Sequence, residues 1–76
     1  MTIAALRSYA EDLNGWSDYR GIIKVCDGRV ILYANGESRD YIMEDLRQMV
    51  PIGIDIYCMR LPFWRCWFKK VQVRLG

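Results

Sequence analysis

The residue types that most often carry catalysis are missing or scattered in this chain. The sequence contains no histidine, the commonest general base near neutral pH and the usual partner of a nucleophilic serine or cysteine. Its six glycines stand at turns and ends and do not form a phosphate-binding loop. The carboxylates Glu44, Asp45 and Asp55 have no spacing that distinguishes them from solvated charges. We therefore expect a protein that is not an enzyme and has no cofactor.

The cysteines are a second group with reactive side chains. Cys26, Cys58 and Cys66 lack the C-x-x-C spacing and the histidine partners of a zinc site, so we expect no bound metal. They are also fewer than the dense, even set of a secreted disulfide scaffold, which predicts free thiols. Cys58 and Cys66 stay open to two interpretations, as small buried side chains or as a disulfide under oxidising conditions.

Basic and aromatic residues form the third group, and their types suit binding. The formal net charge of +2 is by itself too small to imply nucleic acid or a membrane surface as partner. Its distribution is uneven, because residues 1–50 carry six basic and eight acidic side chains whereas residues 51–76 carry five and one. Three Trp, five Tyr and two Phe exceed what one 76-residue core readily absorbs. An open aromatic patch on a monomer usually marks an interface.

Length and hydropathy predict one small domain, residues 1–76, in the cytoplasm. At this size only about 60% of the unfolded chain's surface is hidden on folding, so the core is small. No apolar run approaches the roughly 18–20 residues of a membrane span, and the N-terminus lacks the layout of a secretory signal. We therefore expect no membrane partner.

Two amphipathic helices are predicted, each with one apolar arc at the 3.6-residue period. The first spans residues 2–14, with Thr2 as N-cap and Asn14-Gly15 as a left-handed stop. The second spans residues 38–50, with Ser38 as N-cap. The apolar arcs are Ile3, Leu6, Tyr9, Ala10 and Leu13 in the first helix and Ile42, Met43, Leu46, Met49 and Val50 in the second.

Two β-hairpins are predicted. In the first, Asp27-Gly28 favours a type I′ turn between Ile22–Cys26 and Arg29–Ala34, which pairs Val25 with Val30 and Ile23 with Leu32. In the second, residues 54–59 turn at Leu61-Pro62-Phe63 and return antiparallel. The pairs of this second hairpin are Cys58 with Cys66, Tyr57 with Trp67, Met59 with Arg65 and Asp55 with Lys69. A bulge at Lys69-Lys70 then turns Val71, Val73 and Leu75 toward the core.

The predicted fold is a two-layer α+β domain in α-β-β-α-β-β order. Two helices pack on one face of a four-stranded antiparallel sheet, because each element has one apolar face to bury. The other sheet face is then a flat, basic and aromatic platform. Its candidate binding residues are Lys24, Arg29, Tyr33, Tyr57, Arg65, Trp67 and Lys69.

The platform suits more than one partner. Aromatic and Arg planes stack on nucleobases while Lys and Arg meet phosphates, so single-stranded nucleic acid is one candidate. Tyr, Trp, Met and Arg are also enriched in protein–protein hot spots, so a host protein or nucleoprotein complex is another. A homodimer packed through this face is a third. Alternatively, Trp67 and Tyr57 bind no partner and only stabilise the sheet as a cross-strand surface pair. The predicted helices form an acidic side of the domain. Such a side is usually a solvated face, and the alternative is that it imitates the phosphate backbone of a nucleic acid.

In size, lack of catalytic residues and compact αββ build, the whole chain resembles the small inhibitor proteins of phages and other mobile elements, anti-CRISPR proteins among them. The resemblance is one of architecture and includes no shared motif. It implies a non-enzymatic inhibitor that blocks a host defence nucleoprotein complex by occupying a surface.

Overall fold

A computed structural model describes residues 2–16, 19–62 and 70–75, and these residues form two helices and four strands. The elements are α1 (Ile3–Trp16), β1 (Gly21–Cys26), β2 (Arg29–Ala34), α2 (Gly36–Met49), β3 (Asp55–Met59) and β4 (Gln72–Leu75). The predicted α+β class, with two helices and a four-stranded sheet, is confirmed. Neither helix of the described ranges is long and apolar enough to cross a membrane.

Helix α1 begins as predicted and ends later. The hydroxyl of Thr2 accepts a hydrogen bond from the N–H of Ala5 at 3.2 Å, which is the geometry of an N-cap. The left-handed stop at Asn14-Gly15 is wrong, since Gly15 has no positive φ and the helix continues to Trp16. The side chain of Asn14 is instead hydrogen-bonded to the backbone of Val71.

Helix α2 begins two residues before the predicted start. Asn35 occupies the N-cap position, so the prediction of Ser38 as N-cap is wrong. The Ser38 hydroxyl lies within the first turn and accepts a hydrogen bond from the N–H of Arg20 at 3.4 Å. At the other end, the N–H of Val50 donates to Leu46 at 2.8 Å, and Pro51 follows.

The first hairpin has the predicted register, with Val25 opposite Val30 and Ile23 opposite Leu32. Its turn is not type I′, because that turn needs a positive φ at both central residues and only Gly28 has one, at 70°. The carbonyl of Gly28 also accepts a hydrogen bond from the N–H of Asp55 at 3.2 Å. The turn therefore contacts the start of β3.

The sheet is mixed, with strand order β3-β2-β1-β4, so the predicted all-antiparallel sheet is wrong. Strand β1 pairs antiparallel with β2, but β4 pairs parallel with β1 and β3 pairs parallel with β2. Helix α2 connects β2 to β3, and a helical crossover brings the next strand alongside in parallel. Strands β3 and β4 lie at opposite edges of the described sheet and do not pair with each other. The partners of β3 in the predicted second hairpin, Arg65, Cys66, Trp67 and Lys69, lie outside the described residues.

The core lies between the two helices and one face of the sheet. Val71 and Val73 point into it as predicted, and Val73 pairs with Ile23. Lys69, where the bulge is predicted, lies outside the described residues. Leu75, also predicted to face inward, is 68% exposed at the end of β4. The buried residues of this core are Leu6, Ala10, Ile23, Val30, Leu32, Ala34, Ile42, Leu46, Val50 and Val71.

Two asparagine side chains hold the chain on either side of the β3–β4 connection. The amide of Asn35 donates to the carbonyl of Leu61 at 2.7 Å and accepts from its N–H at 3.0 Å. The amide of Asn14 makes the same pair of bonds with Val71, at 3.0 and 2.9 Å. Each amide thus supplies the donor and acceptor that a neighbouring strand would supply to a single residue. We call these contacts the Asn35 clamp and the Asn14 clamp.

The Asn14 clamp predicts a loss of stability for Asn14→Asp. The carboxylate keeps an acceptor for the N–H of Val71 but has no donor for its carbonyl, so the free energy of unfolding in urea should fall by about 1–3 kcal/mol. Gln48→Glu makes the same amide-to-acid change at an exposed position of α2 and should stay within about 0.5 kcal/mol of the wild type. If Asn14→Asp and Gln48→Glu change the free energy of unfolding equally, the Asn14 clamp makes no specific contribution to stability.

Two glycines should respond to alanine in opposite directions. A Cβ at Gly21 would lie 2.9 Å from the carbonyl oxygen of Tyr33 and 3.3 Å from the Cβ of Ala34, so Gly21→Ala should destabilise by about 1–3 kcal/mol. A Cβ at Gly15 meets nothing within 4 Å, and Gly15 is helical. Gly15→Ala should therefore raise the free energy of unfolding by up to about 1 kcal/mol. A loss of stability in Gly15→Ala would instead indicate that Gly15 ends α1 in a left-handed conformation.

Candidate binding face

The sheet face away from the helices, here called the open face, contains every described member of the predicted site. Lys24, Arg29, Tyr33 and Tyr57 all lie on it, because strand pairing aligns Lys24 with Ile31 and Ile31 with Tyr57. The predicted outward orientation of Asp55, Tyr57 and Met59 is confirmed by their pairing with Arg29, Ile31 and Tyr33. The other predicted members, Arg65, Trp67 and Lys69, lie outside the described residues.

An apolar and aromatic strip runs along the β3 edge of the open face. Tyr57 is 47% exposed and Met59 is 51% exposed, although both are large hydrophobic side chains. Ile31 and Tyr33, their partners on β2, are half-buried beside them. The four side chains lie as two neighbouring pairs, Ile31 with Tyr57 and Tyr33 with Met59.

Basic side chains flank the strip. Lys24 pairs with Arg74 across β1 and β4, and Arg29 pairs with Asp55 across β2 and β3. Arg74 was missed in the sequence analysis, although it follows Val73 and so must point to the opposite face once Val73 is in the core. The described part of the open face therefore carries three cations and one carboxylate.

The open face is less flat than predicted. Leu61 and Pro62, which follow β3, line a cleft of about 400 Å³ together with Ile22, Lys24 and Tyr33. Ile22 is 5% exposed and Leu61 is 1% exposed, and both are buried outside the main core. The β1 side of the face is thus partly covered by the chain leaving β3, and the β3 side is open.

The reactive groups of the described chain do not suggest covalent chemistry. Cys26 and Cys58 are free thiols. Desolvation raises the pKa of the Cys58 thiol, with Asp40 adding to the shift and Arg39 opposing it, which favours the protonated and weakly nucleophilic form. Cys58 is exposed, contrary to the prediction of a buried side chain, because β3 is an edge strand. The ranges that the structure describes contain no group of three metal-ligating residues.

A polar contact between the helices lies on the other side of the sheet. The hydroxyl of Tyr9 on α1 donates to Oδ2 of Asp45 on α2 at 2.8 Å. Burial raises the pKa of Tyr9 above its usual value of 10.0, and the hydrogen bond and negative charge of Asp45 add to this.

This contact predicts a dependence of stability on pH in the alkaline range. Above about pH 10 the unfolded chain loses the Tyr9 proton while the folded chain retains it, so the free energy of unfolding should fall as the pH rises. Urea unfolding at pH 8 and pH 11 should show a larger loss for the wild type than for Tyr9→Phe, which shares every other titrating group. Equal losses of the free energy of unfolding in the wild type and in Tyr9→Phe would contradict the assignment of this pH dependence to Tyr9.

The described geometry offers an exposed apolar strip bordered by cations. An arrangement of this kind can bind a macromolecular surface. Comparison of the chain with protein-family models, curated protein sequences and solved structures finds no match.

Proposed function

We propose that this protein is a non-enzymatic binding module that docks a partner protein on its open face. The observation that carries the proposal is the pair Tyr57 and Met59, which lie close together on an edge strand with about half of each side chain in water. Burying such side chains against a partner contributes roughly 25 cal/mol for each Å² of apolar surface removed from water.

The position of the strip at an edge strand supports a protein partner. Strand β3 is the end strand of the sheet order, and four of its five residues are exposed. It contains neither Lys nor Pro, the residues that commonly protect a sheet edge from pairing with another chain. An extended segment of a partner can add to this edge while its side chains contact Tyr57 and Met59.

The same surface supports the more specific proposal of an inhibitor. A host defence nucleoprotein complex presents protein surface and phosphates together. The apolar strip suits the protein part, and the flanking Lys24, Arg29 and Arg74 suit phosphates. In this proposal the protein acts as anti-CRISPR proteins do, by occupying a surface that the complex needs.

Single-stranded nucleic acid is the second candidate, and the juxtaposition of Lys24 and Arg74 favours it. Two cations on neighbouring strands repel each other unless an anion lies near them. The rings of Tyr33 and Tyr57 would then stack on bases. The two candidates differ in salt dependence, since affinity for nucleic acid falls steeply with rising salt.

The test is capture from a lysate of the natural host, with and without nuclease treatment, followed by affinity measurement on the captured partner. Tyr57→Ala should weaken binding by about 2 kcal/mol while leaving the circular dichroism spectrum unchanged. Ile52→Ala is the matched control, because Ile52 is a fully exposed apolar side chain in the turn before β3, outside the open face.

Three outcomes would contradict the protein-binding proposal. Capture that disappears after nuclease treatment, together with oligonucleotide binding that weakens with salt, would favour nucleic acid. Equal effects of Tyr57→Ala and Ile52→Ala would remove the open face from the interface. A dimer in light scattering that Tyr57→Ala dissociates would assign the strip to self-association.

A further inference from the structure

A cleft between the two helices lies on the side of the sheet opposite to the open face. It has a volume of about 250 Å³ and is open to solvent, and its surface is mainly apolar, with three tyrosines and two aspartates among the lining residues. We call it the tyrosine cleft. Its lining residues are Tyr9, Asp12, Leu13, Tyr19, Tyr41 and Asp45.

The aromatic part of the cleft is held in place and remains accessible. The rings of Tyr19 and Tyr41 lie 5.5 Å apart between centroids and are tilted by 50°. Tyr41 is 57% exposed, so this ring is not used to fill the core. Aromatic faces carry partial negative charge and attract cations that approach within about 6 Å.

The charged part of the cleft is also partly fixed. Asp45 accepts the hydrogen bond from Tyr9 through Oδ2, which restrains its carboxylate between α1 and α2. Asp12 is exposed on α1 at the same cleft. No lysine or arginine lines the cleft, and neither carboxylate forms an ion pair within residues 2–16, 19–62 and 70–75.

We propose that the tyrosine cleft binds an arginine side chain presented by a partner protein. A guanidinium is planar and weakly hydrated, so it can stack on a tyrosine ring while its N–H groups donate to a carboxylate. The cleft offers both features side by side. Two carboxylates repel phosphates, which makes a nucleic acid an unsuitable occupant. The cleft is separate from the open face, so a substitution can abolish binding at one surface and leave the other surface intact.

The test uses N-acetyl-arginine amide as the probe and amide chemical shifts of the ¹⁵N-labelled chain as the readout. Shifts should concentrate at Tyr9, Leu13, Tyr19, Tyr41 and Asp45 and should saturate. The citrulline counterpart has nearly the same shape without the charge and should produce no saturable shift. The lysine counterpart should bind more weakly than the arginine probe, because its ammonium is more strongly hydrated and does not stack.

Variants with matched controls identify the groups responsible. Asp12→Asn should weaken probe binding about threefold, whereas Glu11→Gln removes the same charge from the neighbouring exposed position and should change it little. Tyr41→Leu should also weaken binding about threefold, whereas Tyr41→Phe keeps the ring and should bind as the wild type does.

Several results would overturn the proposal. The first is a citrulline or lysine counterpart that binds with the same affinity as the arginine probe. The second is an equal loss of affinity in Asp12→Asn and Glu11→Gln. The third is a set of chemical-shift changes that lies outside the cleft, or no shift change at all. If the unlabelled chain itself produces the same shifts as its concentration rises, the occupant is a second copy and not a partner protein. Tyr57→Ala alters the open face and leaves the tyrosine cleft intact. A failure of the arginine-binding proposal is therefore distinguishable from a failure of the open-face proposal.

Discussion

Buried backbone polar groups must find hydrogen-bond partners where the chain leaves β3 and where it enters β4. These strands lie at opposite edges of the described sheet, and Leu61 and Val71 lie just outside the strands at the two ends of this connection. Both residues are buried, and an unpaired buried N–H or C=O is destabilising. The Asn35 clamp and the Asn14 clamp meet this requirement, each with one side chain. The Asn14 clamp also explains why Asn14 does not form the predicted left-handed stop with Gly15.

The same constraint accounts for the limits of prediction from sequence. Local signals were sufficient for the helical arcs, for the Thr2 cap and for the register of the first hairpin, because each depends on residues close in the chain. The partner of β4 was not predictable in this way. Alternating apolar residues show that Val73 faces the core, but the same alternation fits pairing with β3 or with β1. The Asn-Gly pair at residues 14 and 15 was misread because its asparagine bonds to Val71, which is distant in sequence.

The candidate site was predicted in part for the same reason. Strand parity places Lys24, Arg29, Tyr33 and Tyr57 on one face whichever strands are neighbours, since alternation is a property of each strand alone. Flatness of that face depends on the course of the chain after β3, and Leu61 and Pro62 lie over its β1 side. The tyrosine cleft was not predicted at all. Tyr9, Tyr19 and Tyr41 come together only when α1 and α2 pack on the same sheet face, and no motif links them.

The pairing of β1 with β4 has a consequence for the order in which the molecule assembles. Ile22 meets Gln72, so this contact closes a loop that contains β2, α2 and β3. Loop closure of this length is entropically unfavourable, and contacts between distant residues form late in folding. Strand β4 is also short and ends in exposed residues, which places it among the segments that open most easily in native-state hydrogen exchange. We therefore expect native-state hydrogen exchange to show that the edge of β1 is exposed more often than the β1–β2 hairpin opens.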